Sequence, residues 1–149
     1  MDDHNPSVLR SRESAGLIVP LAEVAGVEVL VVNCTAPEAM REALVNLQEA
    51  ARKRDYANVR WGCYANAFPV VTSDFLQHPD YVTGHRCDPS SAKREVSPRR
   101  FAEYGLQWVR ECFVTVFRGC YATTLPHIRA MTHALRAQDE GEETYLSRS

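Results

Sequence analysis

The stretch that decides the fold runs from Val27 to Glu38 and reads Val-Glu-Val-Leu-Val-Val-Asn-Cys-Thr-Ala-Pro-Glu. Its first half, Val27 to Val32, is a short run of mostly β-branched apolar residues, which is typical of a strand buried on both faces. Its second half carries helix-start signals. Thr35 and the glutamate three residues later have the spacing of a capping box, and Pro37 suits a first helical turn. The stretch therefore predicts a strand that ends near Cys34 and passes directly into a helix.

Cys34 falls at the carboxyl end of this predicted strand. In parallel α/β sheets and barrels ligands bind at that edge, so the position favours a functional cysteine. A free cysteine is also often a small buried hydrophobe. Position alone leaves both interpretations open.

Size and composition restrict the class of protein. The 149-residue chain has room for one ordinary domain with a hydrophobic core. Its 45% hydrophobic and 24% charged residues are typical of globular proteins, and its net charge of −2 favours neither nucleic acid nor an anionic membrane. No apolar run approaches the ~20 residues of a membrane helix, and the polar N-terminus is not a signal segment. These features predict a cytoplasmic protein that binds neither nucleic acid nor membrane.

Strands and helices alternate along the rest of the chain. The predicted strands are Val27–Val32, Val59–Ala65 and Val114–Phe117. A short helix from Pro20 to Ala25 is predicted before the first strand, and a long helix from Pro37 to about Arg54 after it. A further helix is predicted to start at Ser97-Pro98, and the last one to start after a capping Thr123 or Thr124. Their apolar stripes are Met40-Leu44-Leu47-Ala51, Phe101-Tyr104-Trp108 and Ile128-Met131-Leu135. This alternation predicts α/β architecture with parallel βα units.

The domain is predicted to occupy residues 16–137. Residues 1–15 hold few apolar side chains and are expected to be disordered, and the polar residues 138–149 are expected to form a flexible tail. The segment from Phe68 to Val96 is long and irregular, and connections of that length are usually functional or disordered.

A second cysteine repeats the arrangement of Cys34. Cys120 follows the third predicted strand and precedes a capped helix, so both thiols are expected at one rim of a parallel sheet. The five cysteines are odd in number and contain no Cys-x-x-Cys pair, which predicts free thiols. Thiolates bind zinc well, but a catalytic zinc needs three protein ligands and one open position. Two strand-end cysteines therefore leave both a metal site and an ordinary structural role open.

Four segments resemble the homocysteine S-methyltransferases over roughly residues 20 to 135. The similar segments are Val32–Glu38, which resembles the family's Asn-Cys segment; Cys63–Ala67, which resembles its Tyr-Pro-Asn-Ala strand end; Ser97–Trp108, which resembles the helix before its last strand; and Gly119–Ile128, which resembles its Gly-Gly-Cys-Cys-Gly-Thr-Thr-Pro-x-His-Ile run.

The resemblance implies the last three βα units of a (β/α)8 TIM barrel that transfers a methyl group from a donor to homocysteine and gives methionine. It implies a Zn2+ held by three cysteinates, two of which match Cys34 and Cys120, and substrate contacts at Asn33 and Asn66. His127 matches a residue that is expected to be structural. The alternative is a catalytically inactive half-barrel that binds a partner.

The sequence departs from the family pattern at the rim. Tyr121 occupies the third ligand position, and tyrosine is neutral at pH 7, so zinc is expected to bind weakly or not at all. His85 or Cys87 is a candidate replacement ligand, and Arg118 stands where the family has a glycine. The first half of the barrel has no counterpart in the resemblance. Because three strands expose two sheet edges, self-association or a missing N-terminal half is expected.

Overall fold

A computed structural model describes residues 1–2, 5–9, 11–56, 58–67 and 96–146, with side chains up to residue 138. Within these residues the strands are β1 (Val29–Thr35), β2 (Arg60–Ala65) and β3 (Val114–Gly119). The helices are α1 (Ile18–Val24), which continues a 3-10 turn at Ala15–Leu17, α2 (Pro37–Arg52), α3 (Pro98–Cys112) and α4 (Leu125–Leu146). No helix in this part of the chain combines the length and apolar character that a membrane span requires.

The three strands form one parallel sheet in the order β1-β2-β3. Each strand is followed by a helix, and β1 and β2 each pair with the next strand along the chain. Because such crossovers are right-handed and here all step in one direction, their helices are expected on the same face of the sheet. The prediction of parallel βα units is confirmed. Three strands form an open sheet, so the barrel stays a prediction.

The helices cover one face of the sheet and leave the other uncovered among the described residues. Val32 and Cys63 are in register on the covered face and belong to one buried core with Leu44 of α2 and Trp108 of α3. The opposite face, named the open face below, carries two in-register rows of residues, Val31-Gly62-Val116 and Asn33-Tyr64-Arg118. The prediction that the first strand is buried on both faces is therefore wrong for the part of the chain that the structure describes.

The strand β1 also ends later than predicted. Thr35 pairs with Ala65 and is fully buried, and its hydroxyl donates to the Asn33 carbonyl at 3.3 Å. Ala36 precedes α2 and makes no side-chain cap bond, while the Glu38 carboxylate accepts from the Tyr104 hydroxyl at 3.1 Å. The predicted capping box is wrong, because pairing of the backbone with β2 keeps Thr35 in the strand.

Most of the other helix signals are confirmed. Ser97 caps α3 by accepting from the Arg100 N–H at 3.3 Å, and Pro98 is its first residue. The stripe of α2 is buried at all four predicted positions, Met40, Leu44, Leu47 and Ala51. Phe101 and Trp108 are buried on α3 and meet edge-to-face, with ring centroids 6.1 Å apart.

Two helices differ from their predicted form. α1 begins at Ile18 and not at Pro20, because a proline in the first turn needs no hydrogen-bond partner for its nitrogen. In α4 the predicted stripe residue Ile128 is exposed, and the neighbouring His127 is buried in its place. The helix turns a polar residue inward there because that residue has hydrogen-bond partners in the core.

The two ends of the chain carry more regular backbone than the sequence predicts. Ahead of α1, the Ala15 N–H donates to the Ser7 carbonyl at 2.9 Å, and Met1 and Leu9 pack against the core. The backbone of α4 continues as a helix to Leu146, into the predicted tail. That tail holds three glutamates and one glutamine, which are good helix formers. The domain boundaries stay predictions.

Candidate functional site at the carboxyl ends of the strands

The last residues of the three strands form one rim of the sheet. Thr35, Ala65 and Gly119 are in register across it. The N–H of Cys120, directly after β3, donates to the Ala65 carbonyl at 2.9 Å. Cys34 directly precedes Thr35, so the structure brings the two cysteines predicted as ligands to the same rim. Both are half-buried.

A bulge sets the position of Cys34. The pairing of β1 with β2 shifts between Asn33 and Thr35, and Cys34 has a left-handed φ of 54°. This conformation costs a non-glycine residue roughly 1–3 kcal/mol, and bulges often re-aim a side chain next to a site. Because the bulge skips Cys34, Thr35 takes the buried position opposite Ala65. The cysteine is then left half-buried at the rim.

A tight turn sets the position of Cys120. The Cys120 carbonyl accepts from both the hydroxyl of Thr123, at 2.5 Å, and its N–H, at 3.2 Å. A Cβ added at Gly119 would lie 2.1 Å from the Thr123 hydroxyl oxygen, so the turn requires glycine at that position. The glycine before the cysteine thus has a packing reason that is independent of any ligand.

The third ligand position points to solvent. The Tyr121 side chain is 70% exposed, and its carbonyl accepts from the Ala67 N–H at 2.9 Å. The described residues contain no group of three His, Cys, Asp or Glu that could hold a metal ion. The candidate replacements His85 and Cys87, like most of the predicted irregular segment, lie outside the described residues. The described residues therefore supply two of the three cysteinates that the resemblance implies and do not complete the zinc site by themselves.

The two remaining described cysteines belong to the core. Cys63 and Cys112 are at most 1% exposed. Burial, reinforced by the nearby Cys112, raises the pKa of the Cys63 thiol far above its usual range, and burial likewise raises the pKa of Cys112. Both thiols stay protonated at neutral pH, so neither resembles a reactive or metal-binding cysteine.

The two asparagines predicted as substrate contacts differ in exposure. Asn33 is exposed on the open face. Asn66 is 1% exposed and lies just past β2, where its N–H donates to the Thr35 carbonyl at 3.2 Å. Both lie within one or two residues of the cysteine rim, and their contact with substrate stays a prediction.

His127 joins the rim to a distant part of the chain. Its Nε2 donates to the Val96 carbonyl at 2.8 Å, because a carbonyl only accepts. Its Nδ1 then accepts from the Thr124 N–H, at 3.1 Å. His127 is the third residue of α4 and caps the start of the helix by accepting from the Thr124 N–H. These contacts favour the predicted structural role. The match of His127 to the family pattern was the signal for this role, and nothing in the sequence indicated the partner at Val96.

A parallel βα sheet with thiols at its carboxyl rim defines an α/β protein whose candidate site lies at the strand ends. The model of the homocysteine S-methyltransferase family matches residues 1–135 of the 149-residue chain. The chain belongs to the homocysteine S-methyltransferase family. The match also takes in residues 1–19, which lie ahead of the region that the resemblance covers. No curated protein sequence matches the chain.

Proposed function

We propose that the chain is a homocysteine-binding domain of the methyltransferase type, with a weakened site for Zn2+ at Cys34 and Cys120. The observation that carries this is the strand register, which sets both thiols at one rim in a chain that belongs to the family. Free thiols are also consistent with a reducing compartment, and we propose a cytoplasmic location.

In this proposal Cys34 and Cys120 would hold the ion from the two strands that flank β2. When bound, zinc would keep the homocysteine sulfur ionised at neutral pH. Asn33 and Asn66 would contact the substrate beside it. Homocysteine would then be the methyl acceptor, with a new S–CH3 bond forming as the bond from the methyl group to its donor breaks.

We expect L-homocysteine to bind more tightly when zinc is present. Calorimetric titration of the purified chain, with added zinc and with a chelator, measures this. Cys34→Ser and Cys120→Ser should each abolish the zinc-dependent part of the binding, because one thiolate cannot hold the ion. Cys112→Ala removes a thiol from the core, away from the rim, and should retain it. Equal binding of homocysteine in zinc and in chelator would contradict the proposal.

The open face supports a second candidate function, an inactive half-barrel that assembles with a partner. Val31 and Val116 leave half-buried apolar surface there, and β1 and β3 each have an unpaired edge among the described strands. The exposed stripe of the first helical segment, Leu17, Leu21 and Val24, adds further apolar surface. Sheet edges and apolar patches of this kind favour association. We propose a second copy, or a missing N-terminal half-barrel, as the partner.

For this candidate we expect the purified chain to form a dimer or a larger assembly. Light scattering over a range of concentrations measures its mass. Val31→Glu places a charge on the open face and should increase the monomer fraction. Phe113→Glu changes an exposed apolar residue at the opposite end of the sheet and should not. A stable, folded monomer at every concentration would exclude self-association.

A further inference from the structure

Three polar side chains form a row across the open face, directly below the cysteine rim. Asn33, Tyr64 and Arg118 are in register on β1, β2 and β3. The central guanidinium carbon of Arg118 lies 6.0 Å from the centre of the Tyr64 ring, which places both side chains on the same side of the sheet. Asn33 and Arg118 are exposed and Tyr64 is half-buried. The row therefore presents a guanidinium, a phenol and an amide to the open side.

The charge of Arg118 is not paired with a carboxylate among the described residues. The other arginine on this face, Arg60, is in register with Val29 at the amino end of the strands and lies 3.8 Å from the Glu28 carboxylate. The described carboxyl end of the open face thus carries a net positive charge. A site of this sign attracts an anionic group.

The apolar row Val31-Gly62-Val116 lies next to this polar row on the open face, on the side away from the cysteine rim. A Cβ added at Gly62 would lie 3.0 Å from a methyl group of Val31 and 3.1 Å from the Cβ of Val116, so the two valines pack closely against the glycine from either side. A ligand at the polar row would therefore have apolar side chains toward the amino ends of the strands and the two cysteines toward the carboxyl ends. The apolar row, the polar row and the cysteine rim together suit a ligand with one anionic end and one thiol end.

We propose, building on the proposed function, that Arg118 binds the α-carboxylate of homocysteine, with Tyr64 and Asn33 as flanking donors. A guanidinium matches the two oxygens of a carboxylate with paired hydrogen bonds. Cys120 lies two residues beyond Arg118, and a strand advances about 3.3 Å per residue. The spacing suits a four-carbon amino acid with its carboxylate at the row and its sulfur at the rim. Arg118 replaces a glycine of the family pattern, so this contact would be particular to this chain.

Binding of L-2-aminobutyrate, which has the carboxylate but no thiol, tests the row separately from the zinc site. We expect Arg118→Gln to weaken its binding about 10- to 100-fold in the presence of chelator, as for loss of a charged hydrogen-bond pair. Arg118→Lys should weaken the binding less, because lysine keeps the positive charge and loses only the paired hydrogen bonds of the guanidinium. Arg129→Gln removes an exposed arginine of α4 and should have no effect. The thiol 3-aminopropanethiol, which lacks a carboxylate, should not respond to Arg118→Gln.

An Arg118-dependent affinity for L-2-aminobutyrate supports the proposal, whatever zinc does to homocysteine. If homocysteine then binds no tighter with zinc than without it, the metal part of the proposed function fails while the carboxylate row stands. Equal affinity of wild type and Arg118→Gln for L-2-aminobutyrate overturns the row. Absence of any binding of L-2-aminobutyrate to the wild-type chain overturns it too.

Discussion

Tyr121→Cys is expected to raise the affinity of the chain for zinc by about 100-fold, because it adds a third thiolate next to Cys120. The Tyr121 side chain is largely in solvent, so little packing is lost. Its hydrogen bond to Ala67 uses the backbone carbonyl and survives the substitution. The turn that holds Cys120 through Thr123 is also unchanged. Competition with a chromophoric zinc chelator measures the change.

Leu125→Cys is the matched control for this variant. Leu125 is as exposed as Tyr121 and lies four residues further along, so it adds a thiol near the rim without the adjacent position. A gain in zinc affinity that is equal in both variants would contradict the assigned ligand position. Methionine formation, followed by mass spectrometry with S-methylmethionine, betaine or S-adenosylmethionine, should stay at background in wild type and in Tyr121→Cys. The three described strands provide few walls to orient a methyl donor, and orientation contributes several kcal/mol to a barrier.

His127→Ala is expected to lower the free energy of unfolding by about 3 kcal/mol. The side chain is 5% exposed, and its loss leaves the Val96 carbonyl and the Thr124 N–H without their partner. It also removes an edge-to-face contact with Phe101, whose ring centre lies 5.6 Å away. Urea unfolding followed by circular dichroism measures the loss.

His133→Ala provides the control on the same helix. His133 is exposed on α4, so its removal should change the free energy of unfolding by less than about 0.5 kcal/mol. If both variants unfold at the same urea concentration, His127 does not stabilise the rim. A loss confined to His127→Ala would support a stabilising role for the contacts of His127 with Thr124, Val96 and Phe101.

Local sequence signals predicted the structure correctly where a residue and its partner lie within one helical turn of each other. Ser97 and Pro98 predicted the start of α3 correctly, because the cap bond reaches only to Arg100. The buried stripe of α2 was readable for the same reason, since helical spacing alone brings its residues to one face. The alternation of strands with helices likewise predicted the parallel order, because a strand–helix–strand crossover favours parallel neighbours.

The same local reasoning failed where a distant strand competes. Thr35 and Glu38 have the spacing of a capping box, but Thr35 is held by pairing with Ala65, and Glu38 binds Tyr104. Burial of β1 was overestimated because the sequence of a strand does not say how many of its faces are covered. His127 was predicted to be structural, yet its partner Val96 lies 31 residues away and could not be inferred.

For the candidate site, the sequence by itself determined that Cys34 and Cys120 lie near the carboxyl ends of two strands, and therefore at one rim of a parallel sheet. Strand ends follow from local composition, and parallel strands share their carboxyl edge. Only the tertiary structure decided that a bulge leaves Cys34 half-buried, that Tyr121 faces solvent, and that Arg118 lies beside Tyr64. Those features depend on the register between strands, and register is set by contacts between residues that are far apart in the chain.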